Sequence, residues 1–136
     1  MTRSPLFLCQ PAFQTSILLS QLAHETSTSP PCISDRCLID PLVYTSLYFS
    51  ASVFAELVDT PGVAGMLEVY RSEQTMLVLL EPVEDFWVDD GARKLVGAGT
   101  TEPMEEWWAV SHRFEAVSVP YDLPSVPANG LTKLLP

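Results

Sequence analysis

The sequence predicts an α+β fold: two N-terminal helices, an antiparallel four- to five-stranded meander and a C-terminal helix, with extended proline-rich ends. Three observations predict it. Apolar residues recur at helical spacing as far as Val58, they fall into alternating or continuous runs after Gly65, and most of the 12 prolines lie near the two ends. A length of 136 residues lies within one domain, and a composition 47% hydrophobic and 18% charged can fill a single core. The expected layout is one domain over residues 1–136, with extended arms at 1–11 and 120–136 and a loop at 26–39.

Residues 12–25 contain no Gly or Pro, and Phe13, Ile17, Leu18 and Leu22 recur at helical spacing, which predicts a short amphipathic helix after Pro11. The Ser, Thr and Pro that follow, from Thr26 to Arg36, predict a surface loop. Asp40 is a good N-cap and Pro41 suits the first helical position, so a second helix is expected from Pro41 to about Val58. Its apolar residues form two adjacent stripes, Val43, Leu47, Phe54 and Leu57 beside Tyr44, Tyr48, Ala51, Ala55 and Val58. A face that wide predicts a buried, central helix. Pro61 and Gly62 end it.

Strands are expected at Met66–Arg71 and Thr75–Val83, joined by the short loop Ser72-Glu73-Gln74. Phe86-Trp87-Val88 and Arg93–Val96 form a second hairpin, with Asp90-Gly91 supplying the turn. Glu102, Glu105 and Glu106 favour a helix N-terminus, and Met104, Trp107, Val110, Phe114 and Val117 share a side, so a helix is expected over 101–112. Phe114–Tyr121 also alternates and could supply a fifth strand. Pro120, Pro124, Pro127 and Pro136 mark an extended end.

Seven basic residues against seventeen acidic ones give a net charge of −10, the same sign as a phosphate backbone, which argues against direct nucleic-acid binding. Asp40 and Glu56 bracket the most apolar stretch, so a conventional spanning helix is excluded. Residues 1–24 lack acids and suggest a targeting peptide. A single Arg3, Pro5 and Pro11, and the lack of a small-x-small cleavage site make that the weaker reading. The charged fraction is low for a mean hydropathy of +0.19, so a domain this small leaves apolar area outside its core.

Few residues are arranged for chemistry. His24 and His112 are the two histidines, and no Ser stands in a Gly-x-Ser-x-Gly elbow. Cys9, His24, Cys32 and Cys37 make the count of four that a closed zinc site needs, but the Cys32-x4-Cys37 spacing is loose and Cys9 is distant. Free thiols are the expectation, and their odd number suits a cytoplasmic or other reducing intracellular compartment. Glu81, Glu84, Asp85, Asp89 and Asp90 are separated by Phe86-Trp87-Val88 as in a strand, not as in a calcium loop, and suit a solvated hairpin tip. Gly97-Ala98-Gly99 before Thr101 lacks the Lys of a phosphate loop. No catalytic residue, metal ligand or cofactor is assigned.

Trp87, Trp107 and Trp108 stand in acidic surroundings, with Glu102, Glu105 and Glu106 beside the last two. Adjacent aromatics point in different directions, so one of a pair can enter the core while the other faces outward as an interface anchor. The expected function is a non-catalytic protein-protein interaction module, a small acidic subunit or adaptor of a larger complex. Its partner would be another protein with a basic or Arg-bearing surface, in a homo- or hetero-oligomer. An acidic inhibitor or nucleic-acid mimic is the second reading, and a small-molecule enzyme with an unidentified pocket the third.

Overall fold

The structure, a computed structural model, describes residues 10–80, 103–121, 123 and 125–127, with the backbone alone over 103–107, at 119 and over 125–127. Five helices lie in these segments: α1 (Pro11–Ser27), α2 (Ile39–Tyr48), α3 (Ala51–Val58), α4 (Val63–Arg71) and α5 (Pro103–Ser118). Two three-residue strands, β1 (Leu77–Leu79) and β2 (Ser125–Pro127), pair in parallel, with Leu77 opposite Ser125 and Leu79 opposite Pro127. This mainly helical fold overturns the expected antiparallel meander.

The first helix forms where expected. Pro11 occupies its first position, where no amide is needed, and Leu18 is fully buried. The second expected helix is two. Phe49 is extended at φ −126° and ψ 171°, and Ser50 then starts α3 by accepting the Val53 amide at 3.4 Å. The break explains the overly wide apolar face: each short helix turns its own stripe inward, Leu42 and Val43 from α2 and Leu57 from α3. Asp40 is not the cap of α2, which begins one residue earlier at Ile39. It lies in the first turn, and its Oδ2 accepts the Cys37 amide at 3.0 Å. Pro41 still falls among the positions whose amides have no partner within the helix.

The segment Met66–Arg71, expected as a strand, belongs to α4. Its buried residues are Val63, Met66, Leu67 and Tyr70, a helical spacing that becomes visible only when counting starts at Val63. Gly62, at φ +95°, adopts the left-handed backbone that turns the chain from the end of α3 into α4. A hairpin across Ser72-Glu73-Gln74 is thereby excluded, since its first arm is a helix. Of the run expected as a strand over 75–83, β1 retains Leu77–Leu79. The expected strands at 86–88 and 93–96 and the acidic hairpin tip between them lie outside the described residues.

At the other end, α5 continues six residues beyond His112 to Ser118, and a 3-10 turn, Val119–Tyr121, follows. The fifth strand at 114–121 is therefore replaced by helix. Val110, Phe114 and Val117 keep a spacing of four and three that a helix can bury on one side, and Phe114 packs against the core from that stripe. Pro120 sits in the 3-10 turn, not in an extended arm, and Leu123 is buried just after it. The core joins Leu18, Leu38, Leu42, Val43, Val63, Leu67 and Val117, and α2 is central to it, packing most extensively on α5 and next on α1. Among the described residues no helix is long and apolar enough to cross a membrane.

Candidate functional site

Strand β1 has alternating sides. Leu77 and Leu79 are half-buried, and Leu77 packs on the core, while Met76, Val78 and Leu80 are 63%, 42% and 71% exposed. Val69, the outward residue of α4, is 50% exposed, and its carbonyl accepts the Thr75 hydroxyl at 2.9 Å, which holds the start of the strand against the end of the helix. Three consecutive outward positions of the strand segment are therefore large, apolar and exposed, and the neighbouring helix adds a fourth. Such a cluster differs from apolar residues scattered singly over a surface. The sequence pattern hides it, because an apolar residue occupies every position from Met76 to Leu80, so the run reads as a strand buried on both faces.

The residues expected to anchor a partner are only partly within view. Trp87 and Glu102 lie outside the described residues. Trp107, Glu105 and Glu106 fall on the first turns of α5, where the backbone alone is described. Trp108 is half-buried, and its ring lies over that of His112, with centroids 5.8 Å apart and planes inclined at 34°. The exposed His112 thus covers part of the indole.

A second polar feature sits where α1, α2 and α4 meet. The Leu38 amide is shared between Glu25 Oε1 at 2.9 Å and the Tyr70 hydroxyl oxygen at 3.0 Å, and that hydroxyl donates to Glu25 Oε2. Gln21 Nε2 donates to Glu25 Oε1 at 3.0 Å and to the Arg36 carbonyl at 3.1 Å. Arg36 Nη1 pairs with Asp40 Oδ1 at 2.9 Å. Burial pushes the Cys37 thiol up to about 12. Burial also raises the Tyr70 phenol, reinforced by the nearby Cys37 and by its bond to Glu25. Both groups are held protonated, so the cluster locks three helices together and presents no activated nucleophile.

Cys32 is exposed, Cys37 half-buried, and both thiols are free. His24 is exposed, and Cys9 lies outside the described residues. No group of three or more His, Cys, Asp or Glu among the described residues is placed to hold a metal ion. An open cleft of about 550 Å³ runs between the turn at Asp59–Gly62, Leu67 and Tyr121. Its cation, Arg71, already donates to the Tyr121 carbonyl at 2.8 Å and to Glu68, and its Thr60 hydroxyl reaches the Glu56 carbonyl at 3.5 Å. Those groups serve the fold and do not converge on a substrate. No family model matches the chain, and comparison with curated proteins and with solved structures finds no match either.

Proposed function

We propose that the chain is a non-catalytic protein-binding module, a small acidic subunit or adaptor of a larger complex. The observation that carries this reading is the outward row Met76, Val78 and Leu80, apolar and exposed in a chain whose net charge is −10. Solvation alone does not account for such a row on so acidic a chain, and covering it with a partner releases the water it orders. The acidic segment that holds Glu102, Glu105 and Glu106 would draw in a basic or Arg-bearing surface, with Trp107 or Trp108 as the aromatic anchor. A reducing intracellular setting belongs to the same reading and rests on the odd number of cysteines.

The test is quantitative capture from the native source with wild-type protein and with a Met76→Ser, Val78→Ser, Leu80→Ser triple variant. The wild type should retain a stoichiometric partner that the triple variant loses, at least about tenfold in affinity, with its melting temperature nearly unchanged. Neutralising Glu102, Glu105 and Glu106 should instead slow association and flatten its salt dependence. Equal retention by the wild type and the triple variant would remove β1 as the contact surface.

A further inference from the structure

We propose that Ser29, in the exposed loop between α1 and α2, is a site of proline-directed phosphorylation and that the phosphate loosens the last turn of α1. The chain has three Ser/Thr-Pro pairs: Ser4-Pro5, Ser29-Pro30 and Thr60-Pro61. Two lie among the described residues, and they differ sharply. Residues 29–36 are all exposed, so a kinase cleft can reach Ser29 and the residues that follow it from outside the helix, with only the C-cap Thr28 and the last turn of α1 on its N-terminal side. Thr60 is half-buried in the tight turn before α4, where its carbonyl accepts the Val63 amide at 3.1 Å and its hydroxyl points back to the Glu56 carbonyl. Phosphorylating Thr60 would require the turn to open first.

The effect on α1 follows from how that helix ends. It has no glycine cap, and Thr28 leaves the helix with extended backbone at φ −87° and ψ 129°. Side-chain hydroxyls bond back into its last two turns instead. Thr26 Oγ1 donates to the Leu22 carbonyl at 2.8 Å, Ser27 Oγ to that of His24 at 3.0 Å, and Thr28 Oγ1 also to that of His24 at 2.8 Å. The carbonyls of the final turn, that of His24 among them, carry the negative end of the helix dipole. A phosphoserine one residue beyond Thr28 places about −1.5 to −2 charges beside that end. Between Arg3 and Arg36 the only residue able to carry positive charge is His24, and the Arg36 guanidinium is engaged by Asp40. Repulsion therefore acts on the turn that contains Glu25, the residue that receives the Tyr70 hydroxyl and the Leu38 amide.

In the transfer step Ser29 Oγ attacks the γ-phosphorus of a nucleoside triphosphate held by the kinase. The new O–P bond forms as the bond to the β–γ bridging oxygen breaks, the nucleoside diphosphate leaves, and the hydroxyl proton passes to the kinase's base.

The experiment uses the full chain carrying Ser4→Ala, a proline-directed Ser/Thr kinase and magnesium ATP, with phosphopeptide mapping and hydrogen exchange as readouts. Incorporation should appear at Ser29, at least about tenfold faster than at Thr60, and disappear in Ser29→Ala. Amides of residues 22–28 should exchange about tenfold faster in the phosphorylated protein, while those of 42–45 stay protected. Equal rates at Ser29 and Thr60, or no phosphate at Ser29, would overturn the site. Unchanged exchange over 22–28, or slower exchange because the phosphate recruits Arg36, would overturn the loosening.

Discussion

Around Leu38 three helices converge on one buried amide, and the polar atoms there find partners: Glu25, Tyr70 and Gln21 bond to one another or to the backbone. At β1 two strands of three residues meet along one register, and the side of β1 turned away from the core exposes Met76, Val78 and Leu80. Both regions are rich in apolar residues. The first uses them to bury a shared amide at 0% exposure, and the second leaves them 42–71% in contact with water. Buried polar pairing and exposed apolar surface thus belong to different parts of the chain, so substitutions that lower stability should be separable from those that test the proposed binding surface.

The largest effect is expected from Val43→Asp, which buries a charge at a fully enclosed position. It should cost about 4 kcal/mol or more and abolish cooperative unfolding in a circular dichroism melt, while Met76→Asp leaves the transition in place. A normal melt for Val43→Asp would refute the central role of α2. Thiol reactivity sharpens the same contrast. In a Cys9→Ser background, Cys32 should react with a disulfide reagent at least about a hundredfold faster than Cys37, measured by peptide mapping near neutral pH. Equal rates would show that the junction opens freely.

The junction also fixes the direction of the pH dependence. Cys37 and Tyr70 both have folded values above their unfolded ones, so the unfolded chain loses these protons first as pH rises. Their contribution is complete below the unfolded values, near about 8.5 for the thiol and about 10 for the phenol. It is lost as pH climbs through the folded values, about 12 for Cys37. Urea midpoints should therefore fall above about pH 9, and Cys37→Ala with Tyr70→Phe should flatten the fall. Tyr70→Phe alone should cost about 1–2 kcal/mol near neutral pH, and less once Glu25→Gln is already present.

The smallest effects come from two neighbouring glycines. Gly62→Ala meets both a left-handed backbone at φ +95° and the Leu22 Cδ2 atom, 2.9 Å from the new Cβ, and should lose about 1 kcal/mol or more. Gly65→Ala adds a Cβ in open space inside α4 and should gain about 0.5–1 kcal/mol. A loss at Gly65 in the isolated protein would show that this face of α4 is occupied.

Sequence legibility tracked how local the deciding physics was. The helix after Pro11 and the stop at Pro61-Gly62 depend on residues next to one another, and both are found in the structure. The break at Phe49 was harder, since its clear local sign is Ser50, an ordinary N-cap residue that also suits a continuous surface. For α4 the spacing of Val63, Met66, Leu67 and Tyr70 is present, but a count begun at Gly65 drops the first member and leaves two apolar pairs, Met66-Leu67 and Val69-Tyr70, too short to fix a period. The parallel pairing of β1 with β2 joins residues 48 apart, beyond the reach of any local pattern. The exposed row at Met76, Val78 and Leu80 was least visible of all, because its composition matches that of a strand buried on both faces.

The partner that α2 packs against most extensively is also the last α-helix among the described residues. Val43 and Val110 stand 67 residues apart, so at about 5–20 residues per second the ribosome delivers the second roughly 3–13 seconds after the first. For that interval α2, and then α3 and α4 as they are added, stand without α5, and the face destined for it stays open to solvent or to a chaperone. Synthesis itself therefore imposes a waiting period on this fold. Synonymous codons that slow elongation across 81–102 would lengthen it without altering a single residue, and more of the newly made protein should then depend on a holdase to remain soluble.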